Sequence, residues 1–211
     1  MANQTSYSKH LERLTERKWD EEGIRARLAD LRQNGFGPRK EDLQTLNRDR
    51  SALLDRVRLR GEEYEYLTHS CSKGSALALM EEFGLGNWEI IRAMSPFPGF
   101  GMTGGICGAV TGTLVALGLF FGSDDPEDYE GTGRTMTAAR AFIARFKEEL
   151  GTIMCPRLQE EIVFGRYLDP RANPGNFEKF KKAKGYEKCA LLPGIGAGIG
   201  AEIILDGGEE G

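Results

Sequence analysis

The stretch that decides the fold is GFGMTGGICGAVTGTLVALGLFFG, residues 99–122. It carries no charged residue, is rich in glycine over its first half, and holds one cysteine, Cys107. Glycine lets another backbone or a ligand approach closely. We therefore expect this stretch to form a central, glycine-rich core helix, in which Cys107 is either an inert buried thiol or a metal ligand.

The same stretch is long enough to cross a membrane. It lacks the flanking aromatic residues and Lys/Arg anchors of a membrane span, and a helix that is apolar all round also suits the centre of a soluble bundle. The N-terminus shows no secretory signal. We therefore predict a cytoplasmic protein without a membrane span.

The composition is that of an ordinary globular chain. Of its 211 residues, 40% are hydrophobic and 28% are charged, which is not the composition of a disordered protein. The net charge of −4 gives no electrostatic reason to expect nucleic-acid binding, and we predict none.

Apolar residues recur with helical spacing along the chain, and no alternating strand pattern is convincing. The fold class is therefore predicted as all-α, a compact helical bundle with an N-terminal helical hairpin or arm. Residues 6–35 predict two helices, and a third is predicted to begin near Arg39. The further predicted helices are Ser75–Phe83 ended by Gly84, Trp88–Met94, Thr135–Leu150, Pro156–Phe164, Phe177–Lys184 and a weakly helical segment over 190–205.

Four cysteines stand out in the second part of the chain. Cys71, Cys107, Cys155 and Cys189 are separated by 35, 47 and 33 residues, and each lies near a predicted helix end. No pair forms C-x-x-C, so zinc-ribbon and thioredoxin spacings are both missing. Without an export signal, such cysteines favour metal binding or redox chemistry over structural disulfides.

Two interpretations of these cysteines remain open from the residues alone. Four thiolates that converge from four helices could hold an iron–sulfur cluster, which needs soft sulfur ligands. Lys73, Arg157 and Lys188 could then offset the negative charge of the cluster. The alternative is four separate buried thiols, which are common in proteins.

Other candidate chemistry is weaker. His69 lies two residues before Cys71 and could be a ligand, a proton partner or an ordinary polar residue, whereas His10 is interpreted as ordinary. The glycine-rich run Gly194–Gly198 follows no strand and resembles no phosphate-binding motif, so it predicts close helix contact. No residue is predicted to be catalytic.

The cysteines lie in the sequence blocks CSKGSALAL (71–79), GICGAVTG (105–112), LGTIMC (150–155) and EKCA (187–190). Through these blocks, residues 65–205 resemble the redox-active proteins named for the cysteine pattern C…GCAxxG…C…C and the related C-terminal domain of split-Soret cytochromes. The resemblance implies a helical domain that binds an iron–sulfur cluster, either 2Fe–2S or 4Fe–4S, through Cys71, Cys107, Cys155 and Cys189. It also implies a redox or electron-transfer role in anaerobic metabolism.

The leading hypothesis is an iron–sulfur protein that exchanges electrons with a redox partner protein. Its domains are predicted as a charged helical arm over residues 1–64 and a four-cysteine redox domain over 65–211. The alternatives are a thiol–disulfide redox protein or sensor and a metal-free helical adaptor. The glycine-rich faces also suggest helix packing between subunits, so we expect a homodimer.

Overall fold

The computed structural model describes residues 4–40 and 42–208. Over these residues the chain is all-α and compact, as the periodicity predicts, with no strand and one isolated antiparallel bridge between Ile106 and Met154. The helices are α1 (Gln4–Glu16), α2 (Glu21–Asn34), α3 (Leu43–Asn47), α4 (Arg50–Thr68), α5 (Cys71–Phe83), α6 (Trp88–Ala93), α7 (Gly108–Phe121), α8 (Tyr129–Leu150), α9 (Cys155–Leu158, continued by a π turn over Gln159–Val163), α10 (Pro174–Lys182), α11 (Gly185–Cys189) and α12 (Leu191–Leu205).

The centre of the molecule is formed by α4, α5, α7 and α12, which pack closely on one another. Helices α7 and α12 are apolar on nearly every face and are buried along most of their length, as a helix without a polar face must be. Pro193 lies in the first turn of α12, where a missing backbone N–H costs little, so the segment predicted to be weakly helical forms a full helix.

Two glycines set how closely these helices approach. A Cβ atom on Gly112 of α7 would lie 2.1 Å from the Ser72 carbonyl oxygen and 2.5 Å from Ser75 Oγ, both on α5. Similarly, a Cβ on Gly61 of α4 would lie 2.7 Å from the carbonyl oxygen of Pro193. The Ser75 hydroxyl donates to the Ala109 carbonyl over 3.1 Å, which joins α5 to α7 near their N-termini.

The stretch over residues 99–122 is not one continuous helix, which corrects the sequence-based expectation. Helix α7 begins only at Gly108, and Gly99–Met102 form a left-handed turn in which Phe100 has a φ of 52° and Met102 a φ of 59°. Pro98 and the closely spaced glycines favour this turn over a right-handed helix. Phe100 is 54% exposed.

The first helices follow the predicted pattern with one shift of boundary. The helix expected to begin near Arg39 begins at Leu43, because the Asp42 side chain caps α3 there. Helix α3 ends at Asn47, and a second helix, α4, starts at Arg50. Apolar residues of α1, α2 and α4 join the same core as the later helices; they include Leu14, Ile24, Leu53 and Val57.

The predicted boundary between residues 64 and 65 lies inside α4, which runs unbroken to Thr68. The division into an arm and a redox domain stays a prediction. One helical run among the described residues, Gly185–Leu205, is long and apolar enough to cross a membrane by length and composition, and 78% of its most apolar window is buried inside the protein.

Candidate metal centre

All four cysteines line one cavity of about 330 Å³. Cys71 is the first residue of α5, Cys107 directly precedes α7, Cys155 is the first residue of α9, and Cys189 is the last residue of α11. The fold therefore brings four thiols that are far apart in sequence into one cavity. Three of them lie at helix N-termini, where the helix dipole and free backbone N–H groups favour negative charge.

Cys71 and Cys107 form a close pair at this site. The neighbouring Cys107 thiol lowers the pKa of Cys71, as do the backbone N–H groups of Gly108 and Ala109. The interaction with Cys71, together with burial, raises the pKa of Cys107 well above that of an ordinary thiol. Cys71 is therefore the thiol of this pair that ionises first.

The other two thiols are stabilised in their neutral form in the metal-free protein. Burial, with the nearby charge of Cys71, raises the pKa of Cys155 to about 12, although Gln159 Nε2 lies 3.8 Å from its sulfur and opposes this shift. Burial and the charge of Glu65 raise the pKa of Cys189. A metal would have to displace these protons, since the thiolate is the form that binds metals.

Backbone contacts hold the segments of two cysteines together. The amide of Cys107 donates to the Ile153 carbonyl and the amide of Cys155 donates to the Gly105 carbonyl, each over 2.9 Å. A Cβ on Gly108 would lie 2.4 Å from the Cys71 sulfur, so only glycine lets α7 begin beside this thiol.

Glu65 is the charged residue most deeply buried at the cavity. It lies on α4, lines the same cavity as the cysteines, and is 4% exposed. Its Oε2 atom has no hydrogen-bond partner among the described residues. Burial, together with the charge of Cys71, raises the pKa of Glu65 well above its usual range.

The rim of the cavity is formed by polar and aromatic residues. His69, which closes α4 in a left-handed conformation, stacks on Tyr186 with ring centroids 3.6 Å apart. Partial desolvation of its imidazole ring lowers the pKa of His69, although the residue as a whole is exposed. His69 and Arg171 line the cavity and are exposed, so the cavity opens to solvent on this side.

The donor set is chemically suited to a sulfur-ligated metal centre. Four thiols and a buried carboxyl supply soft sulfur ligands and one oxygen. Yet no three His, Cys, Asp or Glu side chains within residues 4–40 and 42–208 stand close enough to hold one metal ion as they are placed. In a polynuclear cluster the cysteines bind different metal ions, so their sulfur atoms stand farther apart than around one ion.

The structure brings the predicted site residues together and places the other histidine of the chain, which was interpreted as ordinary, elsewhere. The four cysteines and His69 meet at the cavity, whereas His10 lies elsewhere and hydrogen-bonds to Glu62 over 2.7 Å. Three predicted counter-charges do not line the cavity: Arg157 pairs with Glu161, Lys188 lies over the Phe164 ring, and Lys73 lines a neighbouring surface pocket. Their role in offsetting the charge of a cluster stays a prediction.

The cavity is also lined by four residues that were not predicted from the sequence: Glu65, Gln159, Arg171 and Tyr186. Glu65 is one of many charged residues along α4, so its burial has no signal in the spacing of charges. Gln159 follows Cys155 by one helical turn, and this i, i+4 spacing is the signal that could have identified it.

Fold and site together define an all-α protein that encloses four thiols of four chain segments in one cavity. The model of the family described as "Putative redox-active protein (C_GCAxxG_C_C)" matches residues 69–203, which span more than half of the chain and include every cysteine. The chain belongs to this family, and the resemblance seen in the sequence blocks is confirmed. No curated protein and no solved structure matches the chain.

Proposed function

We propose that this protein is an iron–sulfur electron-transfer protein, with a cluster held by Cys71, Cys107, Cys155 and Cys189. The observation that carries the proposal is that four thiols, separated in sequence by 35, 47 and 33 residues, line one cavity. Membership of a redox-active family supports the same chemistry. An iron–sulfur cluster, when bound, supplies one-electron exchange at a potential set by its surroundings.

The chain's own residues would bind and tune such a cluster. The N–H groups of Gly108 and Ala109 stabilise negative charge on Cys71, and Gln159 is placed to donate to the sulfur of Cys155. Hydrogen bonds to ligand sulfurs and burial are two of the means by which a protein sets a cluster's potential. The exposed side chain of Arg171 at the rim offers positive charge to the anionic site.

The proposal extends to the location, the redox partner and the oligomeric state of the protein. We place the protein in the cytoplasm of an anaerobically growing cell, where it would exchange electrons with a partner protein, and we expect a homodimer. Most glycines of α7 and α12, the glycine-rich segments that suggested packing between subunits, contact other helices of the same chain, so a dimer would use a different surface.

The test is anaerobic purification followed by measurement of iron, acid-labile sulfide and visible charge-transfer absorbance. Cys107→Ala should remove the cluster signal if Cys107 is a ligand. Thr113→Val is the matched control, because the Thr113 hydroxyl bonds only within α7, to the Ala109 carbonyl over 2.8 Å. A colourless, iron-free wild-type protein with four titratable thiols would refute the proposal.

The contact between Cys71 and Cys107 favours a second candidate, a thiol–disulfide redox protein. Oxidation would join the two sulfurs and release two protons and two electrons to a disulfide or quinone-type oxidant. A redox titration separates the candidates, because a disulfide exchanges two electrons per step and an iron–sulfur cluster exchanges one.

A further inference from the structure

The buried carboxyl of Glu65 has an incomplete set of contacts. Its side chain is 4% exposed, and Oε2 lacks a hydrogen-bond partner among the residues that the structure describes. Glutamate is almost never this buried unless it is paired, and an orphan buried oxygen points to a missing proton, water or ion. Other buried glutamates of the chain are satisfied: Glu62 pairs with His10 and Arg17, and Glu82 accepts two bonds of 2.8 Å from Arg56.

The position of Glu65 is fixed by close helix packing. A Cβ on Gly74 of α5 would lie 3.0 Å from the backbone nitrogen of Glu65 and 3.1 Å from its Cβ. This contact holds the Glu65 segment of α4 against α5, whose first residue is Cys71. The carboxyl therefore belongs to the wall of the thiol cavity, and its placement does not depend on a loop.

The charged and titratable groups that line this cavity do not pair with Glu65 Oε2, so a bound metal cation is the remaining candidate partner for the carboxylate. The lining includes the four cysteines, the rim residues His69 and Arg171, and Tyr186. None of these groups hydrogen-bonds to Oε2. Buried charges in proteins are paired or coordinate metals, and a cation bound by the thiolates would supply that pairing.

We propose that Glu65 is an oxygen ligand of the metal centre held by Cys71, Cys107, Cys155 and Cys189. This inference rests on the proposed iron–sulfur site and adds to it a fifth protein donor, a carboxylate oxygen. Carboxylates ligate iron in non-haem sites, so the chemistry suits this metal. A change of donor atom shifts a cluster's electronic structure, as it does when histidine replaces cysteine in Rieske centres.

The experiment uses the full chain, loaded anaerobically with ferrous iron and sulfide. Glu65→Gln keeps the size of the side chain but removes its negative charge, and Glu82→Gln is a matched control at a buried, fully bonded glutamate outside the cavity. The readouts are the electron paramagnetic resonance spectrum of the reduced protein and the rate of iron loss to a chelator.

We expect Glu65→Gln to change the resonance spectrum and to lose iron at least about tenfold faster than the wild type. Substitution of a residue that only supports a metal ligand already weakens metal binding by about tenfold or more. Glu82→Gln should match the wild type in both readouts. Glu65→Asp keeps an anionic oxygen and should retain iron better than the glutamine variant. Glutamine also removes a buried charge, so the metal-free variant is expected to fold.

Two results would overturn the inference, and they are distinguishable. If wild type and Glu65→Gln load iron equally and share one spectrum and one rate of iron loss, Glu65 is not a ligand while the cluster proposal stands. A Glu65 that is protonated and only donates a hydrogen bond would give this result, since the glutamine amide can donate as well. If the wild type takes up no iron and sulfide, the proposed function fails and the ligand role fails with it.

Discussion

The thiols of Cys107 and Cys71 are close neighbours that shift each other's pKa in opposite directions, and the first backbone N–H groups of α7 also lower the pKa of Cys71. The two cysteines come from different helices, and their contact exists because α5 and α7 cross with almost no space between their backbones. As a result, Cys71 ionises more easily than an ordinary thiol, whereas Cys107 ionises less easily.

This asymmetry predicts the order in which the thiols react with iodoacetamide in the reduced, metal-free protein. Cys71 should be alkylated before Cys155, because its pKa is lowered and that of Cys155 is raised to about 12. Labelling of Cys71 should reach half its maximal rate at a lower pH than labelling of an ordinary thiol does. Pulsed labelling with peptide mass spectrometry measures both properties. Equal labelling of the two cysteines would contradict the predicted electrostatics.

A pair of glycine substitutions in α7 tests the helix crossing. Gly112→Ala would place a methyl group 2.1 Å from the Ser72 carbonyl, so it should cost about 1–3 kcal/mol of unfolding free energy and lower iron uptake. Gly118→Ala in the same helix meets nothing within 4 Å and should gain roughly 0.5–1 kcal/mol. Urea denaturation measures both variants. Equal unfolding free energies for the two variants would contradict the close crossing of α5 and α7.

The buried Glu65 predicts how the stability of the metal-free protein depends on pH. Burial raises the folded-state pKa of Glu65 above its unfolded value, so between the two pKa values only the folded state binds the proton. Stability then falls as the pH rises through this window, by at most about 1.4 kcal/mol per pH unit for one proton. Glu65→Gln removes this fall, so the variant should be more stable than wild type at neutral pH and equal to it at acid pH.

Thermal unfolding of both proteins across this pH range is the measurement. Glu82→Gln again serves as the control, and it should lower stability because it weakens the two hydrogen bonds with Arg56. A wild type whose stability rises through the same window would show that Glu65 is ionised and paired in the metal-free fold.

The expected homodimer predicts a sedimenting species of twice the 23.3 kDa chain mass at micromolar concentration. Because the glycines of the α4, α5 and α7 contacts are used within one chain, Gly112→Ala should affect folding before it affects assembly. Sedimentation equilibrium decides the matter, and a single species of monomer mass would refute the dimer.

Local structure was predictable where it depends on neighbours in sequence. Leu11, Leu14 and Ile24 fall on the apolar faces of α1 and α2, Gly84 ends α5 in a left-handed conformation, and Pro156 lies in the first turn of α9. The cysteine blocks also identified the family, because they form a spacing pattern that can be read directly. Each of these signals is carried by residues within a few turns of one another, or by residue type and order alone.

Only the tertiary structure decided what surrounds the thiols. Helical periodicity says which face of α5 or α7 is buried, but it does not say that Gly112 meets Ser72, which is the contact that brings Cys71 to Cys107. Glu65 has the same charge as its solvated neighbours on α4, and only the packing of α4 on α5 turns it into a buried carboxyl beside four sulfurs. The sequence by itself determined the helices and the candidate ligand types, while the helix crossings, set by contacts distant in sequence, decided that these groups share one cavity.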